Sequence, residues 1–396
     1  MKALYHFLFL AANVAVIVFF WWHGSVGQVS WAIALGRLAG LLAMFMLMLQ
    51  LVTIGRIPWL ERAYGHDQLN RIHRAIGYSI GFLLIAHPVL LMLGYGASSI
   101  ISISTQFVAL SIFSFVIIFT ITMRKRVRYE TWHFTHMLVY VAIVLVFQHQ
   151  VAIGGDFAYQ QFVIYWYALV FGVGGVFVIF RWLRPLYRSW RHQFVVERVV
   201  AENHDVHSVY ITGRDLDRFR FEPGQFANLW FIQRGLWFSH PFSFSDSNQI
   251  RFTMKNCGDF TARIGEIKPG TSVIIDGPLG VFVKRRARTN KFLYIAGGIG
   301  ITPIRALIKK EDAVLLYSAR TADDLVFKKD FDALIARRHY FTSERITKEK
   351  IAELVPDVRD RDAYLCGPPP MMDAMIAILR SLGVPSSQIH FEKFSY

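Results

Sequence analysis

Residues 71–90 read RIHRAIGYSIGFLLIAHPVL, an apolar run that carries two histidines, His73 and His87, 14 positions apart. At about 100° per residue that separation falls only ~40° short of four turns, so on a helix both imidazoles share one face, about 21 Å apart along the axis. Residues 76–95 contain no charged side chain, and their length is close to the ~20 residues that a helix needs to cross a bilayer. Working outward, similar apolar stretches occupy about 3–22, 31–54, 100–123, 132–153 and 159–183. The pattern predicts an all-α six-helix membrane bundle over residues 1–190. The first stretch begins Met-Lys as a signal peptide would, but its apolar run is too long and no small-x-small site follows Trp21-Trp22, so a retained helix is expected.

Composition agrees. Of 396 residues, 54% are hydrophobic and 18% charged, too apolar for an ordinary soluble protein and far too apolar for a disordered one. The net charge of +15 is unevenly placed: residues 1–193 hold 14 Lys and Arg against four acids, the rest 29 against 24. The excess lies in the apolar half, where a lipid bilayer explains it better than nucleic acid does. Arg56, Arg62, Arg71 and Arg74 lie between the second and third stretches. Arg124, Lys125, Arg126 and Arg128 lie between the fourth and fifth, and Arg181, Arg184, Arg188 and Arg191 follow the sixth. The alternate loops, 23–30, 96–99 and 154–158, have no Lys or Arg, which predicts a cytoplasmic-membrane protein with both termini in the cytoplasm. The two cysteines, Cys257 and Cys366, fall in the polar half and exclude a disulfide framework.

Ionisable residues at bilayer depth are costly and usually functional. The fifth stretch offers His136 and His149, whose separation of 13 lands about 140° from a whole number of turns, so a bend or bulge is required. His133 is a rival that lands about 160° away. Depth separates them, since 13 residues rise ~20 Å, matching the other pair, and 16 rise ~24 Å. His136 is preferred. Two histidine pairs at two matched depths suit haem iron with both axial positions filled. Zinc is disfavoured because no Cys or carboxylate accompanies them. Arg37 is the one Lys or Arg near the outer end of the bundle, and it needs an anionic partner there, such as a haem propionate.

Beyond Arg191 the texture changes. Short alternating runs broken by Gly and Pro over 194–286 predict a small antiparallel barrel. From Lys291 onward, strands Phe292–Ala296 and Val314–Tyr317 alternate with helical stretches Ile304–Lys310 and Met371–Leu382, an α/β pattern. His240-Pro241-Phe242-Ser243-Phe244-Ser245 ends a barrel strand. A hydroxyl such as Ser243 can hydrogen-bond a flavin N5 and Phe242 offers a flat face, with Ser245 close by, although a plain strand carries the same residues. Gly258-Asp259-Phe260-Thr261 opens helix-like Ala262–Ile267, where backbone amides with Thr261 suit a pyrophosphate, as they also suit an ordinary helix cap. Gly297-Gly298-Ile299-Gly300-Ile301-Thr302-Pro303 follows an apolar strand and opens a helix, a glycine turn through which backbone approaches a phosphate. Cys366-Gly367-Pro368 ends another strand, the position where α/β sheets place ligands. After Val314–Tyr317 come Ser318-Ala319-Arg320 and no acid, so a 2′-phosphate is expected there and NADPH is favoured over NADH.

In this order the motifs resemble the NADPH oxidase and ferric reductase superfamily in its compact bacterial form. The resemblance runs from Arg37 and the histidine quartet through HPFSFS at 240–245 to GGIGITP at 297–303 and CGPPP at 366–370. It implies a cytoplasmic ferredoxin-reductase-like module, with a β-barrel FAD domain over 191–288 and an NAD(P)H-binding α/β domain over 289–396. It also implies two b-type haems, with His73 and His136 on the inner and His87 and His149 on the outer. Gly298, Gly300 and Pro303 would cradle the nucleotide with Thr302, Gly367 and Pro368 beside them, and Cys366 would lie near the nicotinamide. A C-terminal aromatic, Phe394 or else Tyr396, would cover the flavin. The implied activity is an oxidase passing electrons to molecular oxygen outside and releasing superoxide. A ferric-chelate reductase is the close alternative and a donor subunit for a periplasmic protein the more distant one; no obligatory protein partner is evident. His240 stands where related barrels often have Arg. Leu91 replaces a histidine that animal oxidases often carry, which weakens the oxygen reading. No calcium-binding segment precedes the first span, and constitutive activity is expected.

Overall fold

The computed structural model describes residues 2–96, 104–124, 126–153, 155–342 and 344–392. The chain divides into two compact units, one comprising Met1–Ala63 with Gln68–Arg181 and the other Tyr64–Asp67 with Trp182–Tyr396.

The first unit is helical: α1 Lys2–Ser25, α2 Trp31–Ile54, α3 Pro58–Tyr64, α4 His66–Tyr95, α5 Ser104–Met123, α6 Tyr129–Met137, α7 Val139–Ile153 and α8 Gln160–Val178. Ser30 caps α2, accepting from the Ile33 amide at 3.4 Å. α2 is the hub. Its Met44, Leu47 and Met48 are buried against Ile17 and Trp21 of α1, Ala142 of α7 and Phe162 and Trp166 of α8. Away from this core the apolar residues point outward, with Phe82, Leu93, Phe134 and Phe171 all exposed. Among the described residues five helical runs are long and apolar enough to cross a membrane: Tyr5–Ser25, Trp31–Ile54, His66–Tyr95, Thr131–Ala152 and Gln160–His192. The expected span at 100–123 begins outside the described residues, and its described part is α5.

Two irregularities fall beside the histidines. Pro88 sits inside α4 directly after His87, where it removes one helical hydrogen bond. The fifth span is interrupted at Leu138, whose amide donates to Thr135 three residues back at 3.1 Å. That break lies between His136 and His149, where an unbroken helix would leave the two out of phase.

In the second unit, α9 Arg184–His192 leads into six antiparallel strands: β1 Val195–Ala201, β2 Val206–Thr212, β3 Phe226–Phe231, β4 His240–Ser243, β5 Ile250–Lys255 and β6 Val273–Leu279. They form two three-stranded sheets, β1-β2-β5 and β4-β3-β6. Single bridges, Val195 to Ser272 and Phe244 to Phe252, join the sheets into a barrel. Its interior is aromatic and aliphatic, with Phe194, Phe231, Phe244, Phe252 and Ile275 buried. The remainder is a parallel sheet of β7 Phe292–Gly297, β8 Ala313–Ala319, β9 Arg337–Thr342, β10 Asp362–Cys366 and β11 Ile389–Phe391, in the order β11-β10-β7-β8-β9. Helices α10 Ile301–Leu307, α11 Lys328–Leu334, α12 Lys348–Leu354 and α13 Pro369–Ser381 connect the strands. Alternate residues of β7 and β8 serve opposite faces. Tyr294, Leu315 and Tyr317 pack with Ile304 and Phe331, and Leu293, Ile295, Val314 and Leu316 pack with Ile351, Met375 and Leu379. Both faces are covered, which is why these strands read as continuous apolar runs.

Candidate functional site

α4 holds His73 and His87, and the broken fifth span brings His136 and His149 opposite them. The rings of His73 and His136 lie 6.2 Å apart between centroids and 88° apart in plane; those of His87 and His149 lie 6.3 Å and 90° apart. His136, not His133, is the ring that faces His73.

The outer ring nitrogens define what these pairs can do. His87 Nδ1 lies 2.8 Å from the Gly36 carbonyl. A carbonyl only accepts, so Nδ1 carries the proton and Nε2 keeps a bare lone pair. His73 Nδ1 lies 3.3 Å from Thr53 Oγ1, whose own proton goes to the Gln50 carbonyl at 2.9 Å. The imidazole is therefore again the donor at Nδ1. His136 Nδ1 has the same kind of neighbour, Thr120 Oγ1 at 3.3 Å. Fixing Nδ1 in this way is how proteins orient a metal-ligating imidazole. The spacing fits as well. A metal held between two imidazole nitrogens at about 2 Å each, with each nitrogen about 1.1 Å from its ring centre, would put the centroids about 6.2 Å apart. A direct ring-to-ring hydrogen bond would bring them about 1 Å closer. Among the described residues no group of three or more His, Cys, Asp or Glu gathers, so each pair would offer two imidazoles and no further side-chain ligand to a bound group.

Gly40 shows how closely α2 approaches. A methyl group there would lie 2.8 Å from His87 Nδ1 and Cε1. Gln150, next to His149, donates to the Gly40 carbonyl at 3.3 Å and accepts from Trp166 Nε1 at 3.2 Å. Arg37 is half-buried, and its Nη2 donates to Tyr95 Oη at 3.3 Å.

In the second unit the sheet order explains the nucleotide motifs. The chain adds β8 and β9 on one side of β7, then returns to add β10 and β11 on the other. Winding reverses between β7 and β10, and open parallel sheets bind ligands outside the carboxyl ends of their strands at such a point. The 297–300 glycines leave β7 there and Cys366-Gly367-Pro368 leaves β10, with Cys366 level with Ala296. Contact between them is backbone on backbone: a methyl group on Gly300 would lie 2.3 Å from the Cys366 carbonyl oxygen. Gly298 takes φ +53 with open space before its missing side chain. The turn is a 3-10 turn, Gly298–Gly300, followed by the short α10, whose Pro303 is buried. Thr302 Oγ1 donates to the Ile299 carbonyl at 3.0 Å, closing this turn. On the other flank Ser318 of β8 is level with Gly297, and exposed Arg320 follows that strand. Cys366 is fully buried, and burial, with Glu392 adding to it, pushes its thiol well above the ordinary range, so the sulfur stays protonated.

The barrel motif lies on β4, paired with β3 so that Phe242 is opposite Ala227 and His240 opposite Leu229. His240 and Phe242 both meet the Phe260 ring, at 4.1 and 6.2 Å. Pro241 is half-buried and Ser243 buried. Ser245 Oγ is turned into the barrel, bonded to Thr253 Oγ1 at 2.8 Å and the Arg251 carbonyl at 3.2 Å. Thr261 starts a 3-10 helix, Thr261–Glu266, rather than an α-helix. Its Oγ1 accepts from the Cys257 amide at 2.8 Å and donates to the Gly258 carbonyl at 3.1 Å. Phe394 and Tyr396 lie outside the described residues.

One residue escaped the sequence reading. Arg305 of α10 binds the Ser245 carbonyl at 2.7 Å, Asp246 at 2.8 Å and Asp330 at 2.9 Å. It thus ties the helix after the glycine turn to the end of the barrel motif. Phe327, at φ +62, lies between the Arg251 and Arg305 guanidinium groups, 4.6 and 5.1 Å from its ring centre. A single Arg on a helix gives no sequence signal of such reach. Arg305→Leu is expected to cost about 2–3 kcal/mol, since each lost charged hydrogen bond is worth roughly 1.5–3 kcal/mol and water replaces part of it. Thermal unfolding followed by flavin release measures this, and an unchanged midpoint would make the tie incidental.

By its sheet order and glycine turn the second unit joins an antiparallel barrel to a nucleotide-binding α/β domain of the oxidoreductase type. Residues 39–147 match the family described as "Ferric reductase like transmembrane component", and residues 294–376 match "Oxidoreductase NAD-binding domain". With both domains in one chain, the protein has the architecture of the ferric reductase-like and NADPH oxidase family. It is similar to the glycine betaine monooxygenase reductase subunit of Chromohalobacter salexigens, 25% identical over 52% of this chain and 64% of the relative. It is also similar to the propane 2-monooxygenase reductase component of Mycolicibacterium smegmatis, 28% identical over 50% of this chain and 66% of the relative. The chain thus spans just under two-thirds of the length of both. Among solved structures it is similar to the ferredoxin reductase in carbazole 1,9a-dioxygenase, at 26% identity and a TM-score of 0.44 over 51% of this chain and 68% of that one.

Proposed function

We propose that the protein carries electrons from cytoplasmic NAD(P)H across the membrane to molecular oxygen at the outer face, releasing superoxide. The observation that carries this reading is the pair of crossed imidazole couples at 6.2 and 6.3 Å, with Nε2 of His73 and His87 left bare. His73 with His136 would hold an inner b-type haem and His87 with His149 an outer one. Bound flavin and haem would supply the change from two-electron to one-electron chemistry and the relay across the bilayer. The chain's own part is to orient and to insulate. Thr53, Thr120 and the Gly36 carbonyl fix the rings, and Gly40 makes room for His87. At the switch point Gly298 and Gly300 would let the nucleotide phosphates approach the backbone, and the protonated Cys366, buried behind that backbone, would back the nicotinamide side without competing as a nucleophile. His240, Phe242, Ser243 and Thr261 would bound the flavin. The orientation with both termini in the cytoplasm rests on the arginine-rich loops.

A ferric-chelate reductase is the second reading, favoured by Leu91 in place of a further histidine and by the family description over 39–147. Superoxide release from the purified protein, with and without ferric chelate and a superoxide scavenger, decides between them. The oxidase reading expects scavenger-sensitive turnover without chelate; turnover only with chelate would replace it.

Two substitutions test the ends of the path. Arg320→Ala is expected to raise the KM for NADPH several-fold while leaving that for NADH within twofold, because a guanidinium at the end of β8 recognises the 2′-phosphate alone. Equal effects on both coenzymes would refute the assignment. Arg37→Ala is expected to slow reoxidation by oxygen more than it slows flavin reduction by NADPH. Stopped-flow traces of both phases check this, and an unchanged reoxidation rate would leave Arg37 as an interfacial partner of Tyr95.

A further inference from the structure

The helix that follows the last span is packed inside out. α9 reads RPLYRSWRH, and its buried residues are Pro185 and His192. His192 Nδ1 meets the Arg214 carbonyl at 3.0 Å and its ring stacks on Phe194. Arg188 donates to the Gly277 carbonyl and Arg191 pairs with Asp215. The helix is therefore held to the barrel by its polar and basic residues. Its large apolar residues, with Leu183 just before it, face away: Leu183 is 52% exposed, Leu186 54%, Tyr187 61% and Trp190 72%. Their spacing of i, i+3, i+4 and i+7 places them in one stripe about 100° wide, roughly opposite Pro185 and His192.

We propose that this stripe docks on the membrane surface, its side chains among the acyl-chain ends and the neighbouring arginines on the phosphates of anionic lipids. Three observations favour lipid over another occupant. First, the helical run Gln160–His192 is continuous for 33 residues, and at 1.5 Å per residue its ~50 Å exceeds the ~30 Å hydrocarbon core, so its last turns emerge at an interface. Second, the stripe joins Tyr187 and Trp190 with leucines, the mixture enriched at bilayer–water boundaries. Third, Arg181, Arg184, Arg188 and Arg191 lie between Asp156 and Glu197 with no acid among them in sequence; Asp215 offsets Arg191 by the ion pair described above, and all four are half-buried and so keep an exposed part. A second copy of the same stripe would set this cluster against itself, whereas an anionic leaflet neutralises it. The helix thereby anchors the barrel through its own surface as well as through the chain. The redox assignments play no part in this inference, and its test reads no turnover.

The full-length protein in lipid nanodiscs, carrying Cys257→Ser, is spin-labelled at Leu186→Cys or Trp190→Cys. Phe82→Cys, on the apolar exterior of α4, serves as the bilayer reference, and Asn248→Cys, on an exposed barrel turn, as the water reference. Oxygen partitions into lipid and a nickel chelate into water, so the ratio of their relaxation effects reports the surroundings. The expected ratio at 186 and 190 is several-fold above that at 248 and higher in phosphatidylglycerol discs than in phosphatidylcholine discs. Water-like ratios at both positions overturn the proposal. Equal ratios in the two lipids overturn its anionic part. Labels shielded from both reagents, with dipolar broadening that disappears on dilution with unlabelled protein, overturn it in favour of a second copy.

Discussion

Replacing His87 by Ala is expected to halve the haem content and to lower reduction of the external acceptor by at least about 100-fold, more than losing a hydrogen-bond partner behind a ligand usually costs. Flavin binding and flavin reduction by NADPH should be unaffected, because that chemistry belongs to the other compact unit. The prediction follows from the outer pair: His87 faces His149 at 6.3 Å with its Nδ1 committed to the Gly36 carbonyl. Haem quantitation and low-temperature spectra of the purified variant are the check. Two low-spin haems surviving in the His87→Ala protein would remove this residue from the ligand set.

Gly300→Ala should act at the opposite end. The added methyl would stand 2.3 Å from the Cys366 carbonyl oxygen and 2.5 Å from its carbon, and backbone at the junction of β7 and β10 cannot move aside as a flexible side chain would. Overpacking of this kind costs roughly 1–3 kcal/mol. Here it also displaces the two turns that flank the nucleotide crevice. Flavin reduction by NAD(P)H is expected to fall on the order of tenfold or more, about 1.4 kcal/mol per tenfold, with both haems retained. Stopped-flow flavin reduction measures it, and wild-type rates would show that the crevice is not where the nucleotide binds.

Hydropathy and motif order carried the architecture because each span and strand end is a local feature. The apolar lengths, the arginine-rich loops and the glycine turns need only a few neighbouring residues to be recognised. Longer-range facts were not legible. Depth alone favours His136 over His133; the helix break at Leu138, which no proline or glycine marks, lies between His136 and His149 and is not legible, so periodicity leaves that pair out of phase. The strand ends at Gly297 and Cys366 were visible, but their side-by-side placement follows from the β11-β10-β7-β8-β9 order, which the chain shows only when folded. Thr53 and Thr120, the partners of the inner histidines, lie 20 and 16 residues from them in segments that read as plain apolar spans. Arg305 reaches Asp246 across 59 positions, beyond any pattern-based reading. Ser245 reads as a candidate because it sits beside Ser243 at a strand end, yet its hydroxyl is turned inward to Thr253.

The proposed reaction moves electrons from the nucleotide module to an acceptor beyond the bundle. The direct measurement uses the protein reconstituted into sealed vesicles with FAD and haem. A membrane-impermeant ferric chelate or superoxide probe is enclosed, and NADPH is added only outside. Reduction of the enclosed acceptor, lost in His87→Ala vesicles that still reduce their flavin, is the predicted result. NADPH oxidation outside with the enclosed acceptor unchanged, in vesicles shown to be intact, would contradict it.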